Sequence, residues 1–164
     1  MRLLAALLLA LASGPVLADS RPAPQWQGPL ARVHVVWGDE LVILQDPGGA
    51  IHERMFEVAR LEARGQRLRI AGSCASACTF YLGVSTTCVE PGAMMMFHGP
   101  SLAQGQIPPA DYDEVARAMA SFYPPALRDW FLAPGPHRFE DRWLRGDEVI
   151  AMGARSCAAG AKGA

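Results

Sequence analysis

The segment Gly72-Ser73-Cys74-Ala75-Ser76-Ala77-Cys78-Thr79-Phe80-Tyr81-Leu82-Gly83 decides the fold of this 164-residue chain. An alternating run at residues 67–71 predicts a strand before it, and residues 77–84 are apolar enough for a buried helix. Ser76 therefore falls at a strand-to-helix corner, in the first turn of the helix. Free backbone N–H groups and the helix dipole stabilise developing negative charge there. Ser76 is accordingly either a nucleophile or an ordinary helix cap, and caps are the commoner use of such a serine.

The first residues have the composition of a secretory signal peptide. Arg2 supplies the positive start, residues 3–12 the apolar run, and Val16-Leu17-Ala18 a small-residue cleavage pattern. We predict a signal at residues 1–18, a flexible lead-in at 19–30, one folded domain at 31–157 and a flexible tail at 158–164. The signal is too short to span a bilayer. No later stretch of the sequence is long and apolar enough to cross a membrane. The mature chain is therefore expected not to span a membrane, and to be periplasmic or secreted.

Charge excludes one class of function. Without Arg2, 14 of the 15 basic side chains remain against 16 acidic ones, the charges are scattered, and the one lysine is Lys162. A nucleic-acid binder would show a basic stripe, so no nucleic-acid partner is expected.

Four cysteines in an exported chain predict two disulfides. Three pairings exist, and the sequence does not choose among them. We favour Cys88–Cys157, which would tie the C-terminal end to the strand after the central helix, with Cys74–Cys78 on either side of Ser76. That second bridge would make activity redox-dependent, a hypothesis that rests on spacing alone. The cysteine and histidine spacings fit no standard zinc site, so neither a metal nor another cofactor is expected.

The remaining patterns predict alternating strands and helices. Runs at 32–37 and 41–45 predict a hairpin around Gly38-Asp39, and Asp46-Pro47-Gly48-Gly49 then ends the second strand. The two glycines form either an ordinary turn or a backbone approach to a ligand. A helix over residues 50–63 is expected to be amphipathic. Its predicted apolar face is Ile51, Met55, Val58 and Ala59, and its predicted polar face is Glu53, Arg54, Glu57 and Arg60.

A second apolar strand over residues 93–97 ends in His98-Gly99-Pro100, where a histidine is either structural or part of a site. Further helices are predicted at 112–119 after Pro108-Pro109, at 126–132 and at 147–152. The alternation from residue 41 to 97 predicts an α/β domain with a mostly parallel sheet, flanking helices and an N-terminal hairpin.

Four landmarks in this order resemble the Clp protease proteolytic-subunit family of the ClpP/crotonase superfamily. That family has a Pro-Gly-Gly turn, an Ala-Ser-small corner, a strand ending in His closely followed by Pro, and an Asp-containing segment before its last helix. The landmarks here are Asp46-Pro47-Gly48-Gly49, Gly72-Ser73-Cys74-Ala75-Ser76-Ala77, Met96-Phe97-His98-Gly99-Pro100 and Glu140-Asp141-Arg142-Trp143-Leu144. The Cys-x-Ser-Ala-Cys form with a signal peptide is closer still to exported members. The resemblance covers residues 41–153 and implies a single ClpP/crotonase-like domain.

The resemblance implies that Ser76 is the nucleophile, His98 the general base, and Asp141 the residue that orients the imidazole. A serine hydroxyl needs such a base to take its proton. The backbone N–H groups of Gly49 and Ala77 would form the oxyanion hole. The chain order Ser, His, Asp and the lack of a Gly-x-Ser-x-Gly elbow separate this pattern from the α/β-hydrolases.

Three departures from the family pattern stand out. Residues 33–45 are too few for its opening strand–helix–strand, and residues 104–132 carry two proline pairs and look abbreviated. Both departures argue against stacked rings and an ATP-driven unfoldase partner, and a monomer or a small homo-oligomer is expected. Glu53 and Arg54 stand where the family often has small residues, which is expected to reshape the substrate groove.

These features predict a periplasmic or secreted serine hydrolase that acts through an acyl-enzyme at Ser76, with peptides favoured over other acyl compounds as its substrates. One alternative is a non-catalytic ClpP-fold domain that binds a peptide or protein partner, since one fold hosts many functions. A second is a crotonase-type lyase or isomerase. It fits less well, because such enzymes use carboxylates near the oxyanion hole and a nucleotide thioester that the exterior lacks.

Overall fold

A six-stranded mixed sheet organises the computed structural model, which describes residues 31–101, 108–134 and 140–160. The predicted signal peptide and lead-in lie outside the described residues, as do the last four residues of the predicted tail. The strands are β1 (Val33–Trp37), β2 (Glu40–Asp46), β3 (Arg67–Ala75), β4 (Thr87–Val89), β5 (Met94–Phe97) and β6 (Arg142–Arg145).

The strand order is β1-β2-β3-β5-β6, and β4 lies beside the first half of β3. Strand β3 runs parallel to β2, β4 and β5, whereas the pairs β1–β2 and β5–β6 are antiparallel. The predicted α/β class and N-terminal hairpin are confirmed. The sheet itself is mixed, because its two edge strands, β1 and β6, are each antiparallel to their neighbours.

Four α-helices and two 3₁₀ helices flank the sheet in the described ranges. They are α1 (Ile51–Ala63), the 3₁₀ helix Ser76–Gly83, α2 (Pro109–Ala120), α3 (Pro125–Leu132), α4 (Gly146–Ala151) and the 3₁₀ helix Cys157–Gly160. Prolines occupy the first turns of α2 and α3, where a missing N–H costs nothing. None of the helices in these ranges is both long and apolar enough to cross a bilayer.

The strand register brings three loops to one edge of the sheet. The last residue of β2, Asp46, lies opposite Cys74 near the end of β3, and Ala75 lies opposite Met96 of β5. Parallel strands end at the same edge, so the chain leaves β2, β3 and β5 side by side. The Pro-Gly-Gly loop, the serine corner and the segment after β5 therefore meet there.

The buried face of α1 differs from the predicted one. Arg54 and Val58 are its buried residues, whereas Met55 is 36% and Phe56 71% exposed. Arg54 is 2% exposed because its charge meets the buried carboxylate of Asp46 and its guanidinium stacks on an aromatic ring. The prediction that Arg54 lies on the polar face was wrong, and Arg54 lines no surface groove.

Aromatic side chains fill the core between the 3₁₀ helix Ser76–Gly83, β5 and α3. Stacked, tilted or edge-on ring contacts with centroids 4.8–6.3 Å apart connect them, and aromatic pairs add to the stabilisation that burial alone provides. They are Phe80, Phe97, Phe122, Tyr123, Trp130 and Phe131.

Two disulfides close the fold in the pairing that the sequence analysis favoured. Cys74 is bonded to Cys78 with their Cα atoms 5.3 Å apart, and Cys88 is bonded to Cys157 with a Cα separation of 4.8 Å. The first bridge spans the corner at Ser76, and the second fastens β4 to the C-terminal 3₁₀ helix. Two disulfides indicate folding in an oxidising compartment.

Candidate active site

Ser76 has a strained backbone at the junction of β3 and the 3₁₀ helix Ser76–Gly83. Its φ is 56°, and it is the one non-glycine residue in the described ranges with a positive φ. A left-handed φ costs a residue with a side chain on the order of 1–3 kcal/mol and is kept where the surroundings enforce it. An ordinary helix cap has extended dihedrals, so this backbone separates Ser76 from a simple cap.

Two side chains behind the corner hold the Ser76 carbonyl group. The hydroxyl of Thr79 donates to the Ser76 carbonyl oxygen at 2.7 Å, and the Tyr123 hydroxyl lies 2.7 Å from Thr79 Oγ1. Since the Thr79 proton is already used, Tyr123 donates in this second bond. Burial raises the pKa of Tyr123, outweighing its bond to Thr79, so the phenol stays protonated and remains a donor.

His98 lies within hydrogen-bond distance of the candidate nucleophile. Its Nε2 is 2.7 Å from Ser76 Oγ, and its Nδ1 is 2.6 Å from the carbonyl oxygen of Gly99. A carbonyl oxygen only accepts, so Nδ1 carries the proton in this arrangement and Nε2 accepts from the serine hydroxyl. This is the tautomer that a general base needs.

Asp141 is not joined to His98 among the described residues. Arg142, the first residue of β6, pairs with Phe97, the last residue of β5, so Asp141 approaches the same edge of the sheet as His98. Its side chain is exposed, however, and the Gly99 carbonyl already occupies Nδ1 of the imidazole. The structure therefore brings together a Ser76–His98 pair, and the role of Asp141 stays a prediction.

The Gly48-Gly49 loop packs directly against the serine corner. A Cβ added to Gly48 would lie 2.8 Å from both the Ala75 carbonyl oxygen and Ser76 Cβ, and 3.0 Å from the Ala77 nitrogen. Gly48 has a φ of 97° and Gly49 one of 139°. Only glycine fits both the approach and these dihedrals.

The backbone N–H groups of Gly49 and Ala77 are the predicted oxyanion donors. Ala77 is in the first turn of its helix, where an N–H has no intrahelical acceptor. The Gly48 N–H is already bonded to Asp46 Oδ1 at 2.8 Å, whereas the exposed Gly49 N–H meets no acceptor within the part of the chain that the structure describes. The role of Gly49 and Ala77 as oxyanion donors therefore stays a prediction.

A buried ionic network beneath the Pro-Gly-Gly loop was not predicted. The Asp46 carboxylate accepts from Arg54 Nη2 at 3.0 and 2.8 Å, and His34 Nε2 lies 3.0 Å from its Oδ2. Burial alone raises the pKa of Asp46. The His34 bond and the Arg54 charge, helped by the Gly48 N–H and Arg32, outweigh burial and hold that pKa below its ordinary value. Asp46 is thus a fixed anion under the loop.

Arg54 continues the network away from Asp46. Its guanidinium carbon lies 4.3 Å from the centre of the Tyr81 ring, and its Nη1 is 3.2 Å from Glu57 Oε2, an ion pair without hydrogen-bond alignment. The Tyr81 hydroxyl donates to Glu57 Oε1 at 2.9 Å. The aromatic face and two carboxylates together compensate a guanidinium that is withdrawn from water.

A cavity of about 340 Å³ borders Gly99, next to His98 in the chain. It lies between α2 and α3, has an apolar lining that includes Ala116, Phe131 and Leu132, and carries Asp113 and Arg117. Its volume is at the lower end of the range for small-ligand sites.

No known protein-family model matches this sequence, and a search of curated proteins gives no significant match.

Proposed function

We propose that this protein is an exported serine hydrolase of ClpP/crotonase-like fold that cleaves peptides, or other acyl compounds, through an acyl-enzyme at Ser76. One observation carries the proposal: Ser76, with a left-handed φ of 56°, has its Oγ 2.7 Å from His98 Nε2. The fold assignment is supported by the meeting of the landmark segments at one edge of the sheet.

The first half-reaction forms the acyl-enzyme. Ser76 Oγ attacks the substrate carbonyl carbon while His98 Nε2 takes the hydroxyl proton. The negative charge that develops on the substrate oxygen is met by the N–H groups of Gly49 and Ala77. The Gly99 carbonyl oxygen, 2.6 Å from Nδ1, stabilises the imidazolium. His98 then passes its proton to the leaving amine or alcohol as the carbonyl re-forms.

The second half-reaction restores the enzyme. A water molecule gives a proton to His98 Nε2 and its oxygen attacks the acyl carbon. The same two N–H groups hold the second oxyanion, and the proton returns to Ser76 Oγ as the ester bond breaks. The product is a carboxylic acid, and no cofactor takes part in either half-reaction as proposed.

The disulfides and the predicted signal peptide support a setting outside the cytoplasm. We place the enzyme in the periplasm or outside the cell, where ATP-driven unfoldases cannot act on its substrates. It would work without an unfoldase, as a monomer or a small homo-oligomer, on short or already unfolded peptides.

The second candidate is a non-catalytic domain of the same fold that binds a peptide or protein partner. It is favoured by the exposed Asp141, which makes no described contact with the imidazole. In this function the Ser76–His98 hydrogen bond would be structural and Ser76 would have the low reactivity of a free serine.

Fluorophosphonate labelling of the oxidised mature protein, read by intact mass, tests the proposal. We expect one adduct on the wild type and none on Ser76→Ala or His98→Ala, because the reagent reports a serine activated by a base. Ser73→Ala, three residues away on β3, is the matched control and should label as the wild type does. A folded, oxidised wild type that stays unlabelled would leave the binding domain as the better proposal.

A further inference from the structure

In the peptide group between Gly48 and Gly49, the carbonyl oxygen accepts hydrogen bonds from two guanidinium groups. Arg32 Nη2 donates to the Gly48 carbonyl oxygen at 3.1 Å, and Arg54 Nη2 lies 3.3 Å from the same oxygen. The Nη2 of Arg54 is also bonded to both oxygens of Asp46. The Gly48 carbonyl oxygen is therefore hydrogen-bonded to the arginine of the buried Arg54–Asp46 ion pair.

The orientation of this carbonyl fixes the orientation of the neighbouring N–H. The described peptide bonds are all trans, and in a trans peptide the C=O of one residue and the N–H of the next point in opposite directions. Holding the Gly48 oxygen on the arginines turns the Gly49 N–H away from them. Glycines at φ 97° and 139° would otherwise allow the plane to rotate.

The loop is also fixed on its other side. Asp46 Oδ1 accepts from the Gly48 N–H at 2.8 Å, and Gly48 lies against Ala75 and Ser76 with no room for a Cβ. The position of the loop is thus set by packing and by Asp46, while the direction of one peptide plane is set by the two arginines.

We infer that Arg54, assisted by Arg32, is a positioning residue that locks the Gly48–Gly49 peptide with its N–H available as an oxyanion donor. This inference rests on the proposed hydrolase function for its catalytic consequence. Without the lock the plane can turn, and a carbonyl oxygen would then face the developing negative charge instead of a donor. A misdirected donor is lost to catalysis just as a deleted one is.

The sequence offers a direct probe of this peptide. Gly48-Gly49 is the only Gly-Gly pair in the chain. Protein labelled with glycine carrying carbonyl ¹³C and amide ¹⁵N therefore gives one amide-to-preceding-carbonyl correlation by NMR, between the Gly49 N–H and the Gly48 carbonyl carbon. This signal reports the hydrogen bonding of the peptide whether or not the protein is active.

The experiment compares Arg54→Met, Arg54→Lys and Arg32→Gln with Arg60→Gln, a control on the exposed side of α1. We expect both Arg54 variants and Arg32→Gln to move the Gly48 carbonyl signal to lower chemical shift, as loss of a donor does, and Arg60→Gln to leave it in place. Fluorophosphonate labelling should slow by roughly ten-fold or more in the Arg54 variants. It should slow by about two- to five-fold in Arg32→Gln, whose charge is partly exposed.

Arg54→Lys separates positioning from stability. An ammonium group still balances Asp46, but the shorter lysine side chain has no planar guanidinium to stack on Tyr81 and hold one nitrogen between the carboxylate and the Gly48 carbonyl. The fold is therefore expected to survive while labelling stays slow. Arg32→Gln keeps the test decisive if Arg54→Met does not fold.

An unmoved carbonyl signal in Arg54→Lys and Arg32→Gln would overturn the lock, and so would a moved signal with undiminished labelling. A wild type that never labels would overturn the hydrolase proposal and the catalytic role of the lock, and the NMR signal would still decide whether the arginines hold the peptide.

Discussion

At the scale of single residues, the conformation of the candidate nucleophile Ser76 depends on groups that hold its backbone atoms. Thr79 and Tyr123 hold the Ser76 carbonyl, and Gly48 packs against its Cβ. These contacts keep a backbone conformation that an isolated serine would leave. Strained residues with such support cluster at functional sites, so the φ of Ser76 points to a functional site independently of its hydrogen bond to His98.

Asp141→Asn is the residue-scale prediction. Because the Gly99 carbonyl oxygen already accepts from His98 Nδ1 at 2.6 Å, we expect the fluorophosphonate labelling rate to fall by less than about ten-fold. In enzymes whose aspartate fixes the imidazole, the same change lowers the rate by about 10⁴-fold. The measurement is the second-order labelling rate at constant pH, with Asp147→Asn as an exposed control. A loss near the larger value would show that Asp141 joins His98 in the working enzyme.

At the scale of elements, the edge formed by the ends of β2, β3 and β5 assembles the site. The parallel pairings place Asp46 beside Cys74 and Ala75 beside Met96. Residues distant in sequence become neighbours because each follows the carboxyl end of a parallel strand. The site therefore depends on register: a slip of one residue in β2 would move the glycine loop away from Ser76.

Elements with strong local signals could be predicted from the sequence, and elements held by tertiary contacts could not. The hairpin, α1 and the proline-started α2 and α3 follow from turn chemistry and periodicity. Strand β6 was missed, because four residues with one apolar pair give no periodic signal and the strand exists by pairing with β5. The helix after Ser76 was predicted, but its 3₁₀ hydrogen bonding was not.

For the site, the Ser76–His98 contact could be anticipated and its supports could not. Arg54 was assigned to the polar face of α1 because charged residues are normally solvated. A signal for its burial was present, since Ile51, Arg54 and Val58 follow helical i, i+3, i+7 spacing. That spacing alone does not reveal the buried carboxylate of Asp46, which compensates the buried charge of Arg54.

The network around Asp46 joins β1, β2 and α1 and predicts acid sensitivity. Its carboxyl pKa is lowered in the folded protein, so its stabilising contribution is complete above the unfolded value of about 3.9 and is lost as the pH falls toward the folded value. We expect the free energy of unfolding to decline below about pH 4. Asp46→Asn should flatten this decline while costing about 3–5 kcal/mol at neutral pH, since it leaves Arg54 without its main partner.

Urea unfolding between pH 3 and 7 measures both effects, and Asp39→Asn, whose ion pair with Arg67 is exposed, is the matched control. Other carboxylates titrate in the same window, so the comparison is between slopes rather than absolute values. Equal slopes for the wild type and Asp46→Asn would contradict a lowered pKa for this group.

At the scale of the whole molecule, the two disulfides constrain very different lengths of chain. Cys74–Cys78 spans four positions of sequence and Cys88–Cys157 spans 69. In the chain-entropy account a short loop stabilises by about 2 kcal/mol and one of this greater length by about 4 kcal/mol. The long bridge fastens the C-terminal 3₁₀ helix to the sheet, and the short one braces the segment that carries Ser76.

Stability and reactivity should therefore separate between the two bridges. Replacing Cys88 and Cys157 by alanine should lower the free energy of unfolding by about 4 kcal/mol and leave the labelling rate of the folded fraction near that of the wild type. Replacing Cys74 and Cys78 should cost only about 2 kcal/mol. It should nevertheless slow labelling by roughly ten-fold, because Ser76 can then relax from its positive φ. Urea unfolding and labelling rates on the same samples measure the two quantities, and each double variant is the control for the other. If the short bridge can be removed without slowing the labelling of folded protein, it does not brace Ser76, and the hypothesis of redox-dependent activity fails with it.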